Sequence, residues 1–337
     1  MTSGPVIPGN PVIPGLTGNL PLSSDIADYP EGIVLAVDKP YRWTSADVIR
    51  KLKYAAIKHF GKKNLKVGHA GTLDPLATGV LLVCIGNACK RAQELQDHPK
   101  EYIARIRFGA TTPSYDLEKE VDRRFPYEHI TEASVRAALP QFLGEQEQVA
   151  PLFSAKSVDG VRAYELARKL YRSGRFSELD SAALETLQRN KIVISELELL
   201  EFVPGETDIA ESSASPTPPT ACSAGEQASL STAPSVCGPL PLTRPRVATD
   251  SAMSVSSGTS TSTASSRINV ADTSALGLPE AVIRIACSKG TYIRAFARDL
   301  GEALGSGAHL GGLIRTCSGS FRIEDALSLD QALSLLQ

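Results

Sequence analysis

No apolar run in this sequence approaches the roughly 18 residues that a helix needs to cross a bilayer. The longest, Val80-Leu81-Leu82-Val83-Cys84-Ile85, has the length of a strand. The N-terminus shows no basic stretch leading into an apolar one, so no secretory signal is read there and a cytoplasmic protein is expected, with no membrane partner. The six cysteines, Cys84, Cys89, Cys222, Cys237, Cys287 and Cys317, form neither a CxxC pair nor a compact disulfide framework, and they are expected to be reduced thiols. No His/Cys cluster has zinc spacing, and no metal site is expected. HExxH, GxxxxGK(S/T), GxSxG and a convincing GxGxxG are all missing, which removes the zinc-peptidase, P-loop, serine-hydrolase and dinucleotide readings. A large charge of one sign is missing too. With a formal net charge of −2, any nucleic-acid surface must be local.

What is present can fold. The 337 residues are 42% hydrophobic, enough for a core. Residues 1–28 repeat PVIPG at 5–9 and 11–15, a rigid, hydrogen-bond-poor composition that predicts an extended, disordered tail. Residues 205–275 are rich in Ser, Thr, Ala and Pro, and bury too little apolar surface to offset their ordering entropy. A disordered insertion is expected there. The segments on its two sides, "NKIVISELELLEF" (190–202) and "EAVIRIACSKG" (280–290), both read as strands. They predict a hairpin with a greatly lengthened turn, which loop-closure entropy tolerates because it grows only logarithmically with length. The folded body is thus 30–203 plus 279–337.

Within that body, 31–40 and 100–112 read as strands. Helices are predicted over 44–60, capped by Thr44 or Ser45, and over 131–144, capped by Thr131. Further helices are predicted over 162–174, 293–305 and 327–336. Strands and helices mix without a regular βαβ repeat, so the predicted class is α+β with a mostly antiparallel sheet. Residues 41–66 carry eight Lys or Arg against one acid, Asp47, and 281–298 carry Arg284, Lys289, Arg294 and Arg298 with no acid. Such clusters are either solvated faces or phosphate-tracking surfaces. The acids gather elsewhere, as in "DLEKEVD" (116–122).

One stretch, "KVGHAGTLDPLATGVLLVCIG" (66–86), sets His69 and Asp74 among Gly68, Gly71 and Gly79. Glycine permits left-handed backbone and close approach of another chain. Asp74 precedes Pro75, which favours a turn, so one reading is that Asp74 simply caps "PLATG". The other is a carboxylate nucleophile, which needs a cation nearby to stay ionised in a partly dry pocket. Arg294, in "CSKGTYIRAFARDLG", is a candidate for that cation.

"GHAGTLDPLATGVL" resembles the catalytic motif of the TruB-type tRNA pseudouridine synthases, which modify uridine-55 in the T-loop of tRNA. The likeness extends to "VDKPYRWTSADVIRKLK" (37–53), "KEYIARIRFGATTPSYDLEKEVD" (100–122), "PLFSAKSVDGVRAYELARK" (151–169) and "CSKGTYIRAFARDLGEALGSGAHLGGLIRT" (287–316). The resemblance implies a pseudouridine synthase fold, with a central, mostly antiparallel mixed sheet flanked by helices. It implies a tRNA partner met at its T-arm and elbow, no cofactor, and a monomer. It assigns Asp74 as nucleophile, Arg294 as its paired cation and His69 as the residue that enters the T-loop. It further assigns Tyr102 to stack on the flipped uracil, and Tyr292 and Leu313 to line the pocket. Many family members carry a C-terminal RNA-binding PUA domain, but this chain ends at Gln337, shortly after "LIRTCSGSF", and a bacterial-type member without that domain is expected. A synthase for another RNA and a non-catalytic tRNA-folding chaperone are the alternative functions.

Overall fold

The computed structural model describes residues 22–151, 189–206 and 270–337, together with 157–158, 161–162, 173 and 268. The helix expected over 162–174 lies almost wholly outside the described residues, as do most of the segments read as tail and insertion.

In chain order the main sheet takes β1 (Ile33–Lys39), β2 (Val67–Ala70), β3 (Ala77–Ile85), β4 (Lys100–Phe108), β5 (Gly144–Val149), β6 (Arg189–Val203), β7 (Glu280–Cys287), β8 (Ala308–Ser318) and β9 (Phe321–Arg322). Its spatial order is β1-β3-β8-β4-β7-β6-β5, with β2 added to β3 and β9 to β8. Every pairing is antiparallel except β3 with β8. This is the mixed, mostly antiparallel sheet that the sequence predicts. The described helices are α1 (Ser45–His59), α2 (Ala92–Asp97), α3 (Glu132–Ala138), α4 (Ile293–Ala303) and α5 (Leu329–Ser334).

The uninterrupted apolar run of β3 follows from its being covered on both faces. Leu81, Val83 and Ile85 point into the large core, whereas Val80, Leu82 and Cys84 join a smaller cluster with Leu95 of α2 and Phe321 of β9. Helix α1 contributes Val48, Leu52 and Ala56 to the large core, four residues apart on one stripe. Burying a side chain such as Val48 or Leu52 is worth about 1.5–3 kcal/mol. Thr44 and Asp47 close a reciprocal capping box at its start. Helix α4 adds Phe296, set edge-to-face on Phe142 at 5.4 Å, and Leu300.

The predicted hairpin on either side of the insertion is present: β6 and β7 pair from Ile194↔Cys287 to Val203↔Glu280. The helix expected over 131–144 is shorter, because Pro140 turns its end into a 3-10 segment, Leu139–Phe142, and the chain then enters β5. Two pieces inside the segments read as tail and insertion touch the body. Leu22 is buried and its N–H donates to the Leu335 carbonyl at 3.3 Å. Ala271 is buried and its N–H donates to the Leu117 carbonyl at 2.7 Å. Among the described residues, Cys84, Cys89, Cys287 and Cys317 are free thiols, and no helix is long and apolar enough to cross a membrane.

Candidate active site

The Asp74 loop leaves the sheet where β3 changes neighbours. Along one edge β3 pairs with β1 from Gly79 to Ile85. On the other edge Ala77–Gly79 run parallel to Leu313–Arg315 of β8, and Leu82–Ile85 pair with β2. Residues 71–76 arch across that change. Gly79 has φ +100, and a Cβ there would lie 2.2 Å from the Arg315 carbonyl oxygen, so only glycine allows the close strand contact. The Ala77 N–H donates to the Asp74 carbonyl at 3.1 Å and closes the turn through the main chain. The Asp74 carboxylate is thereby left for another partner.

That partner is Arg294, in the first turn of α4. Its Nε donates to Asp74 Oδ2 at 2.9 Å and its Nη2 to Oδ1 at 3.0 Å, a two-point fork. The Arg294 side chain is 6% exposed and that of Asp74 35% exposed, so the cation lies beneath the anion. Arg294 Nη1 donates to the Ser114 carbonyl at 3.3 Å.

A second carboxylate, Asp116, lies 3.8 Å from Arg294 Nε and is buried. Asp116 opens "DLEKEVD", the acidic stretch noted in the sequence, and unlike most of the acids that follow, it is buried. Asp116 Oδ1 accepts from Ser114 Oγ at 2.6 Å and from the Glu118 N–H at 2.9 Å. Burial pushes the Asp116 pKa above the ordinary carboxylate value, with Asp74 adding to the rise while Arg294 opposes it. Burial also works against the Arg294 charge, but Asp74 and Asp116 outweigh it and hold that pKa above the usual arginine value.

Two further cations fix the loop from below. Lys39 ends β1 fully buried, and its Nζ donates to the carbonyls of Pro40 (2.9 Å), Trp43 (2.6 Å) and Pro75 (3.1 Å). Burial lowers its pKa to about 8, against the opposing pull of Asp74 and Asp38. Arg315 of β8 is 1% exposed and donates from Nε to the Val80 carbonyl at 2.7 Å and from Nη2 to the Gly71 carbonyl at 3.1 Å. Together they hold the loop near its beginning, beside Asp74 and beyond its end.

A pocket opens above this arrangement. Asp74, Arg294 and Leu313 line it together with Asp116, Tyr41, Leu76, Leu117 and the main chain at Gly311–Gly312. Of the sequence-predicted site residues it therefore joins three. Tyr102 is 9% exposed in the core, opposite Arg315 across the β4–β8 ladder, and is not part of the pocket wall. Tyr292 precedes α4 and is tied to Gln148, its N–H to Oε1 at 2.8 Å and its carbonyl to Nε2 at 3.2 Å. His69 pairs with Val83 across the β2–β3 ladder. Burial, and secondarily Arg315, lower its pKa and favour the neutral ring, and its Nδ1 has no hydrogen-bond partner among the described residues. Among the described residues no three His, Cys, Asp or Glu side chains gather to hold a metal ion.

The Asp74 carboxylate is thus held at the pocket by a buried two-point arginine fork. Residues 57–213 match the profile described as TruB family pseudouridylate synthase (N terminal domain). A tRNA pseudouridine synthase B of Phocaeicola vulgatus is 43% identical over 303 residues, which span 90% of this chain and 92% of the relative. One from Bacteroides fragilis is 42% identical over 300 residues, spanning 89% and 92%. A solved structure described as "Crystal Structure of a Cbf5-Nop10-Gar1 Complex" aligns at 20% identity with a TM-score of 0.48, over 90% of this chain and 54% of that longer one. The chain belongs to the TruB family of pseudouridylate synthases, which are isomerases.

Proposed function

We propose that this protein converts uridine-55 in the T-loop of tRNA to pseudouridine, with Asp74 as the nucleophile. The observation that carries the reading is the two-point fork from buried Arg294 onto the Asp74 carboxylate inside the pocket. A group held this way is aimed into the pocket, as covalent catalysis by a carboxylate requires. The names of the relatives supply the tRNA substrate.

The chemistry suits a site of this composition. The N1–C1′ bond of the uridine breaks, the freed uracil turns, and a C5–C1′ bond forms. The C5 hydrogen leaves as a proton and N1 regains one. Electrons balance within one nucleotide, so the reaction needs no redox cofactor. Asp74 meets two electrophilic carbons there, ribose C1′ and uracil C6. A stacked uridine must be flipped out first, at a cost of a few kcal/mol. In this reading His69 holds the T-loop open and its lowered pKa keeps the ring neutral, as stacking among bases favours. Leu313, on the pocket wall, confines the detached base while it turns, whereas Tyr102 and Tyr292 lie outside that wall. The exposed Arg50, Lys51, Lys53 and Lys58 of α1 supply a phosphate-facing surface for the T-arm. A cytoplasmic monomer, built on 30–203 plus 279–337 with 205–275 as an insertion, completes the proposal.

Tritium release from C5-labelled uridine in an unmodified tRNA transcript tests it. Wild type should release tritium, Asp74→Asn should not, and cytidine in place of the T-loop uridine should abolish release. tRNA binding without release in the wild type would overturn the reading and leave a folding chaperone.

A further inference from the structure

We propose that Tyr41 is a fixed outer platform of the pocket, which stacks on the nucleobase next to the flipped uridine. This rests on the functional reading above and adds to it a residue that recognises the RNA around the target.

Tyr41 lines the same pocket as Asp74 and Arg294, yet it is 48% exposed. The floor of the pocket is where the target base must go. Tyr41 stands at its rim, with about half of the residue exposed. A base that leaves its stack strips one stacking face from each neighbour. An exposed aromatic ring at the rim replaces such a face and is desolvated in doing so.

A platform must also be rigid, and Tyr41 is held from two sides. From inside, Lys39 gathers the carbonyls of Pro40 and Trp43, which flank Tyr41, and that of Pro75, which follows Asp74. One buried ammonium group therefore sets the Tyr41 turn against the Asp74 loop. From outside, Arg42 adopts φ 63, a left-handed conformation that non-glycine residues seldom take, and such strain is retained where the surroundings fix it. Its Nη2 donates to the Ile268 carbonyl at 2.6 Å. Beside the turn, Lys51 lies 5.3 Å from the Trp43 ring centroid, so a cation accompanies the aromatic pair, as a nucleic-acid surface requires.

The test uses T-arm hairpins, one intact and two carrying an abasic site immediately 5′ or 3′ of the target uridine. They are bound to wild type, Tyr41→Ala and Tyr41→Phe. Tyr41→Ala should weaken binding of the intact hairpin by about 5- to 150-fold, the range for loss of one base–aromatic stack. Tyr41→Phe should bind like the wild type, because only the ring is needed. In turnover on tRNA, Tyr41→Ala should raise KM and leave kcat close to wild type. One of the two abasic hairpins should bind the wild type more weakly than the intact hairpin does, and that difference should vanish in Tyr41→Ala. An undiminished abasic penalty in Tyr41→Ala, or wild-type affinity of that variant for the intact hairpin, would overturn the proposal. The functional reading is judged separately, by pseudouridine formation in the wild type. If that fails while the hairpins bind, the abasic comparison still decides on Tyr41. If no hairpin binds, both readings fall.

Discussion

Replacing Arg294 with lysine probes the fork that defines the site. The arginine makes two bonds to Asp74, at 2.9 and 3.0 Å, from a side chain that is 6% exposed. A lysine keeps the charge but has a single nitrogen on a flexible stem, and it cannot serve both oxygens in one plane. One charge-assisted hydrogen bond is then lost and the carboxylate is free to rotate. A hydrogen bond to a charged group is worth roughly 1.5–3 kcal/mol. If that much is lost on the way to the transition state, the rate of the chemical step falls by about 10- to 150-fold. Affinity for tRNA should be unchanged, because the arginine is buried beneath Asp74. The assay is single-turnover tritium release with enzyme in excess, set beside filter binding of the same transcript. A wild-type rate, or weaker binding with an unchanged rate, would refute the reasoning. Arg294→Met serves as a contrast: it leaves buried Asp116 without its cation and should destabilise the fold by about 3–5 kcal/mol in urea unfolding.

Three other perturbations follow from the same geometry. Asp116→Asn should slow single-turnover release by about tenfold, since it removes the second anion that holds Arg294. Because the folded-state pKa of Asp116 is raised, its contribution to stability is present below the unfolded value of 3.8 and is lost as pH rises through the folded value. The Asn variant should therefore be at least as stable as wild type at pH 7 in urea titration, and a large loss would contradict the burial argument. Gly79→Ala should cost more than about 3 kcal/mol in the same titration, because its Cβ would meet the Arg315 main chain at 2.2 Å in a left-handed conformation. Folded Lys39 gives up its proton near pH 8, whereas the unfolded chain holds one to about 10.5, so the unfolded state binds more protons between those values and stability rises with pH. From pH 8 to 9.5 the wild type should gain about 1.5 kcal/mol relative to Lys39→Met, and a constant difference would show that Lys39 titrates normally.

The parts of the fold that show in the sequence are those with one clean period. The apolar run of β3, the α1 stripe and the two long strands around the insertion each have one. Strand β8 does not, although it lies inside the sheet between β3 and β4. "AHLGGLIRTCS" has two glycines and two register shifts against β4, which break the alternation. Of the site, Asp74 and Arg294 were legible as a motif and a nearby cation, but their joining across 220 positions is a tertiary fact. Lys39 had a signal: Ile33, Leu35, Val37 and Lys39 fall on the alternate, inward face of β1, where a charge is out of place. Asp116 had none, because its composition matches the acids that follow it. Arg315 was hidden with the strand that carries it.

The pairing of Val203 with Glu280 reaches beyond this one site. These residues end β6 and begin β7, so the ladder is already closed where the chain departs from it and where it returns. Residues 208–266, short of the Ile268 and Ala271 contacts, are thus a splice port. Doubling the length of a flexible connection adds only about 0.6 kcal/mol of closure entropy. A fluorescent domain or an affinity handle grafted between 208 and 266 would report on the enzyme without passing strain into its sheet.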